Sequence, residues 1–406
     1  MSLPLLESLD VAHKTVLVRL DLNVPMRSGR VLDDTRIRRI LPTLQYLIER
    51  DAKVVILSHL GRPKGVYDPS ASLAPLVDAL SEALWDRPVR FAPDCVGSAA
   101  KMAVSSAQSG DVILMENLRF HKEEEAGDPT FAAQLAELGD MYVNDAFSCS
   151  HRAHASIVGI NAHLPSAAGR LMQEEMSALT KVLASPDRPL CAIVGGSKIS
   201  TKLDLLGNLA ARVDTLVIGG AMANTFLASQ GADVGASLYE AEMLATARQI
   251  LNDAKAKGCD IVLPIDVVAA ARFEASAPNI VCDAKSVPSS HMILDVGPKS
   301  LMQLLTILQS SKTFVWNGPV GAYETMPFDA SSVVIARMVA GLTHAGKLHS
   351  VAGGGDTLAA LSRAGLSNAF SYLSTAGGAF LEWLEGKELP GVLALMAQHN
   401  GSRKRA

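Results

Sequence analysis

The sequence predicts an α/β protein made of two doubly wound, Rossmann-like parallel-sheet domains joined by a hinge helix. Three observations carry this expectation. Nine short β-branched runs are apolar throughout instead of alternating, the pattern of strands covered on both faces. Helical spacings such as LPTLQYLIER and LAPLVDALSEALW separate them, which reads as repeated βα units. The 406 residues exceed what one core holds at about 150 residues per domain.

In chain order the expected strands are TVLVRLDL, KVVILSHL, DVILMEN and MYVNDAF, then LCAIVGG, TLVIGG, DIVLPIDVV, TFVWNGP and HSVAGGGD. Between the two groups, GRLMQEEMSALTKVL places apolar residues at 171, 172, 176, 179, 182 and 183. That stripe is helical, and Pro165, Pro186 and Pro189 bound it. It is expected to be a hinge helix over 169–185 between a domain at 1–168 and another at 186–385. The tail GSRKRA reads as a solvated, frayed end.

Hydrophobic residues are 49% and charged residues 19%, enough for a large core and too little charge for a disordered chain. The net charge of −4 supplies no global field toward nucleic acid or anionic lipid, so neither is an expected partner. Any anion site must be a local cluster. Five scattered cysteines without a CxxC pair read as reduced thiols. Cys149 lies two residues before His151, but no orienting group is evident and it is expected to be a buried bystander. The amino terminus lacks a basic start and a continuous apolar run, and no stretch reaches about 18 apolar residues. A cytoplasmic protein without a membrane span is expected, and a monomer.

Ligands of open parallel sheets bind beyond the carboxyl ends of the strands, so the residues ending each run matter most. In the first half these are Asp21 and Asn23, His59 and Arg62, Arg119, and His151, Arg152 and His154, with Arg36 in DDTRIRR. A single such arginine is usually an ordinary surface residue. Several at equivalent ends would repel one another unless an anion sat among them, and planar guanidinium forks suit carboxylate and phosphate. The implied ligand is small and multiply anionic.

The second half carries glycine at the same places: Gly195 and Gly196, Gly219 and Gly220, Gly318, Gly353 to Gly355, and Gly377 with Gly378. These are either tight βα turns or helix starts whose N–H groups hold phosphate. Lys198 and Lys202, four apart in GGSKISTK, are expected on one face of a helix's first turns, where the dipole disfavours cations unless an anion is bound. A plain surface lysine pair is the alternative. Asp356 and Thr357 either cap the following helix or, for Asp356, anchor Mg²⁺ beside phosphates. Ser374 and Thr375 are possible caps of the helix at AGGAFLE, and Glu324 is either a solvated loop acid or a ribose acceptor. There is no GxxxxGK[ST] loop, no GxGxxG fingerprint and no HRD or DFG set.

RLDLNVP, SHLGRP, ENLRFH, NDAFSCSHRAHAS, GGSKISTK, WNGPVGAYE, GGGDT and STAGGAFLE together resemble phosphoglycerate kinase, over roughly residues 15–391. The resemblance implies two similar domains with the segment 386–406 returning to the first. It implies 3-phosphoglycerate or 1,3-bisphosphoglycerate on Asp21, Asn23, Arg36, His59, Arg62, Arg119 and Arg152. For Mg²⁺-ADP or Mg²⁺-ATP it implies Gly196, Lys198, Lys202, Asn317, Pro319, Glu324, Gly354, Gly355, Asp356 and Thr357, with Asp356 serving the metal. Arg36, Lys198, Gly354 and Gly377 are implied for catalysis, an in-line phosphoryl transfer completed by domain closure. Three departures from the family pattern are Ala221 in GGAMANTF, Ala376 in STAGGA, and Tyr372 where a hinge histidine is common. Two rival classes are an NAD-dependent oxidoreductase, which should show GxGxxG, and a silent homologue, which should have lost charged site residues.

Overall fold

The computed structural model describes residues 3–403. The chain divides into two compact units, one running up to Ser177 and resuming at Glu388, the other Ala178–Lys387.

The first unit holds a six-stranded parallel sheet in the spatial order Val89–Ala92, Val112–Met115, Lys53–Leu57, Thr15–Arg19, Met141–Asn144 and Ser166–Ala168. Its central strand explains the lack of alternation. Val16 and Val18 pack on one face with Ile37 and Leu44, while Leu17 packs on the other with Phe131, Leu135 and Tyr142. Both faces are covered, so Val16, Leu17 and Val18 are apolar in succession. The strand Thr15–Arg19 has the earlier strand Lys53–Leu57 on one side and the later Met141–Asn144 on the other. The connections diverge there, and a crevice for ligand is expected at such a reversal.

The second unit repeats the plan in the order Asp260–Val262, Thr215–Ile218, Leu190–Val194, Thr313–Asn317, His349–Gly353 and Tyr372–Ser374, all parallel. In sequence rank this is 3-2-1-4-5-6, the order of dinucleotide-binding sheets, with the reversal between Leu190–Val194 and Thr313–Asn317. One expected strand is corrected. DIVLPIDVV splits into Asp260–Val262 at the sheet edge and Asp266–Ala270 at the centre of a separate antiparallel sheet with Asn279–Asp283 and Met292–Val296. Pro264 between them has no N–H to continue a ladder.

The helix Arg170–Leu183 runs through the division between the units. Its start is fixed on the first: Arg170 N donates to Thr43 Oγ1 at 2.8 Å and Met172 N to Asp145 Oδ1 at 2.9 Å. The helix Pro390–Arg403 packs on that same unit. Gly391 N donates to Ser150 O at 2.9 Å, and Gln398 donates to Asn161 O at 2.6 Å and to Leu164 O while accepting from Ser166 N at 2.8 Å. Residues 401–403 of the tail expected to fray belong to this helix, and 404–406 lie outside the described residues. No described helix is long and apolar enough to cross a membrane.

Candidate functional site

In the first unit the strand ends converge as hydrogen-bonded loops. The strand Thr15–Arg19 leads to Asp21, whose Oδ2 accepts from Arg36 Nη1 at 2.7 Å and from Ser148 Oγ at 2.5 Å, and whose Oδ1 accepts from Asn23 N at 3.0 Å. Asn23 in turn ties down the SHLGRP loop, its Oδ1 accepting from Gly61 N at 2.9 Å, and its carbonyl takes a second bond from Arg36 at 3.0 Å. Arg36 sits in the first turn of the helix Thr35–Ile48. Asp21 and Asn23 therefore orient Arg36 before any ligand arrives. Arg119 donates to Gly61 O at 2.7 Å and lies 3.1 Å from Glu125 Oε1.

Arg62 and Arg152 stand differently. Arg62 is exposed and makes no ion pair or hydrogen bond among the described residues. Arg152 donates to His151 Nε2 at 3.2 Å and has no carboxylate partner among the described residues. Guanidinium groups without carboxylates are those with capacity left for an anion. His59 and His154 are held neutral. Burial, followed by the Arg19 charge, drives His59 well below its ordinary pKa and His154 down to about 3. The positive charge that arginine supplies at this face is independent of pH near neutrality.

In the second unit the site lies at the reversal of strand order. Two loops approach so closely that only glycine fits: a Cβ on Gly195 would sit 1.9 Å from Pro319 O, and one on Gly318 2.3 Å from Gly195 O. Lys202 bridges them, donating to Gly195 O at 2.6 Å and to Asn317 Oδ1 at 2.8 Å, and burial lowers its pKa to about 8. Asn317 Nδ2 donates to Gly353 O at 3.1 Å, and Gly318 N donates to Thr357 Oγ1 at 2.7 Å. Gly196, Lys202, Asn317, Pro319, Gly354 and Thr357 are thereby brought together. Lys198, Glu324, Gly355, Asp356 and Gly377 lie exposed around them.

Several expectations change. GGSKISTK does not form the first turns of a helix. It is a loop, the helix is Leu203–Ala210, and Lys202 is its N-cap residue. Glu240 holds the loop instead, accepting from Ile199 N at 2.6 Å, Ser200 N at 3.2 Å and Ser200 Oγ at 2.5 Å. No motif marked Glu240 in the sequence. Gly354, with φ +95°, is the N-cap of Gly355–Arg363, so neither Asp356 nor Thr357 occupies the cap position. Thr357 spends its hydroxyl on Gly318. Among the described residues Asp356 accepts only from Tyr323 OH at 3.3 Å, which leaves its carboxylate open to water and fit to meet a hydrated Mg²⁺ carried by phosphates. The alanine departures cause no backbone strain. Positive φ falls on the preceding Gly220 and the following Gly377, while Ala221 begins its helix.

The phosphoglycerate kinase family model matches residues 6–387. A phosphoglycerate kinase of Cereibacter sphaeroides is 56% identical over 390 residues, covering 96% of this chain and 98% of that protein. Another, of Xanthobacter flavus, is 57% identical over 389 residues, covering 96% and 98%. Among solved structures, phosphoglycerate kinase from Coxiella burnetii matches at TM-score 0.90 and 41% identity over 98% of this chain and all of that one. That from Pyrococcus horikoshii OT3 matches at TM-score 0.82 and 31% identity, covering 98% and 99%.

Proposed function

The chain belongs to the phosphoglycerate kinase family, and from that premise we propose which of its residues carry the reaction. It is a glycolytic phosphotransferase that moves a phosphoryl group reversibly between 1,3-bisphosphoglycerate and ADP, giving 3-phosphoglycerate and ATP. The observation supporting the assignment of roles is the split in chemistry between units. Arginines with unspent donors ring the strand ends of the first unit, and glycine-walled loops ring those of the second.

In this reading the first unit binds the phosphoglycerate. Arg62, Arg119 and Arg152 take its phosphate, while Asp21, Asn23 and His59 take the oxygens nearer the carboxyl group. The second unit binds the nucleotide: Gly196, Lys202, Asn317, Pro319, Gly354, Gly355 and Thr357 line its phosphates, and Glu324 accepts from the ribose. Asp356 would hold Mg²⁺ largely through those phosphates, and the ion would supply charge neutralisation there.

The reacting oxygens belong to a carboxylate and a phosphate, both ionised at neutral pH, so no general base is needed. The neutral histidines agree with that requirement. What the transition state needs is positive charge on the equatorial oxygens, supplied by Arg36 from one unit and Lys198 from the other. N–H groups following Gly354 and Gly377 donate at the helix starts Gly355–Arg363 and Gly378–Leu384. Since the two substrates belong to different units, transfer also requires the units to bring them within bonding distance, with water excluded. The protein works in the cytoplasm as a monomer in this reading. Purified protein with 3-phosphoglycerate and Mg²⁺-ATP should form acyl phosphate, and absence of turnover would overturn the assignment.

A further inference from the structure

Beneath the anion-binding face lies a charge that the reaction, as described, does not use. Arg19 ends the strand Thr15–Arg19 and is completely buried. Its Nε donates to Ser156 Oγ at 2.9 Å, Nη1 donates to Leu20 O, and Nη2 lies 3.2 Å from His59 Nδ1. Ser156 passes the connection on, Oγ donating to Glu124 Oε1 at 2.6 Å and N to Oε2 at 2.9 Å. The buried cation is thus balanced through a hydroxyl, and its Nη2 faces the imidazole, with Cys149 Sγ at 3.9 Å beside it.

A guanidinium has only N–H donors and no lone pair to offer. The 3.2 Å contact therefore assigns His59 Nδ1 as the acceptor, and the single proton of the neutral ring goes to Nε2. Nε2 makes no hydrogen bond to the described residues and is not sealed from solvent, although the residue as a whole is only 4% exposed. We propose that Arg19 is a positioning residue for the phosphoglycerate site, locking His59 in its Nε2–H tautomer so that it offers the anion a donor and never a lone pair.

The surroundings support this. Arg19, Arg36, Arg119 and His154 act on His59 together with burial, and all disfavour a second proton on the ring. Asp21 and Cys149 each place a polar atom within 4.8 Å of the imidazole, but Asp21 is committed to Arg36 and Ser148. Burial raises the Cys149 thiol, which keeps it protonated. A ring free to exchange tautomers would present its lone pair to an anionic oxygen part of the time, which is repulsive. Pinning Nδ1 removes that state.

The inference rests on the phosphoglycerate reading for what Nε2–H binds, but not for the tautomer itself, and the test separates the two. Ring ¹⁵N NMR on the full chain should show His59 Nδ1 as the unprotonated nitrogen and Nε2 as the protonated one, unchanged from about pH 5.5 to 8. Adding 3-phosphoglycerate should shift Nε2–H. Arg19→Met combined with Glu124→Gln removes the buried charges as a pair. It should give mixed His59 tautomers that begin to titrate, and raise the 3-phosphoglycerate KM about tenfold or more with the nucleotide KM unchanged. Should that double variant fail to fold, Arg19→Lys, which keeps the charge without the planar fork, should move the same resonances part of the way. A wild-type proton on Nδ1, or a folded variant with wild-type tautomer and KM, would overturn the proposal. A correct tautomer with no response to 3-phosphoglycerate would overturn the positioning role and the substrate reading together.

Discussion

Replacing Lys202 by Met tests whether the buried lysine of the second unit serves nucleotide or only joins two loops. Its Nζ donates to Gly195 O and Asn317 Oδ1, and burial lowers its pKa from 10.5 to about 8. That difference corresponds to about 3 kcal/mol of disfavour for the charged form in the folded state. Between about pH 8 and 10.5 the unfolded chain binds more protons at this site, so stability should rise with pH across that window, and the cost is fully present below it. Lys202→Met relieves this cost but leaves two acceptors without a donor, about 1–3 kcal/mol each, so the melting temperature at pH 7 should change little. Nucleotide phosphates should restore the lysine's pKa. At pH 8.5 the free protein carries about a quarter of this proton, and binding should take up about three-quarters more. Calorimetry of ADP binding in buffers of different ionisation enthalpy measures that uptake directly. In Lys202→Met the uptake should vanish and nucleotide affinity fall about tenfold to a hundredfold. A variant that loses stability but keeps affinity, or a wild type that takes up no proton, would refute this reasoning.

Arg36→Ala should lower kcat about a hundredfold or more, equivalent to about 3 kcal/mol of transition-state stabilisation, with little change in nucleotide KM by steady-state kinetics. Asp356→Asn should leave melting unchanged, since Asp356 makes no cap bond, and weaken nucleotide binding in Mg²⁺ about tenfold by calorimetry. A lower melting temperature with unchanged affinity would make it a structural residue. Gly354→Ala must place a Cβ at 2.8 Å from Asn317 Nδ2 at φ +95°, so denaturant unfolding should show a loss of about 1–3 kcal/mol, with weaker nucleotide binding.

Strands covered on both faces were legible where they form an apolar run, because such a run without alternation requires packing on both sides; Ser166–Ala168 is buried throughout but, built of three small residues, was missed. Strands with mixed environments were not. Val89–Ala92 lies at a sheet edge with Arg90 exposed and Phe91 half-buried, and Asn279–Asp283 leaves Ile280 and Val281 exposed, so neither stands out from loop sequence. Candidate-site residues in short motifs stood out because glycine and arginine at strand ends contribute little to a core. Arg19 was hidden within TVLVRLDL, although a cation inside an apolar strand is a usable signal, since its burial requires partners. Glu240 could not have been found. It acts on a loop some 40 residues earlier in the chain, and nothing local distinguishes it from a surface acid. The misplaced helix at GGSKISTK has the same cause, since Glu240 satisfies backbone N–H groups that a helix would otherwise leave to capping.

The helix Pro390–Arg403 completes the first unit with chain that lies beyond the whole of the second. On the ribosome the order of completion is therefore reversed relative to the order of appearance. Every residue of Ala178–Lys387 is available for packing while the first unit still lacks the bonds from Gln398 to Asn161, Leu164 and Ser166. At about 5–20 residues per second, making the second unit takes roughly 10–40 s, during which the first unit waits unfinished. A nascent chain stalled within that interval should give a protease-resistant second unit and a first unit still open to cleavage.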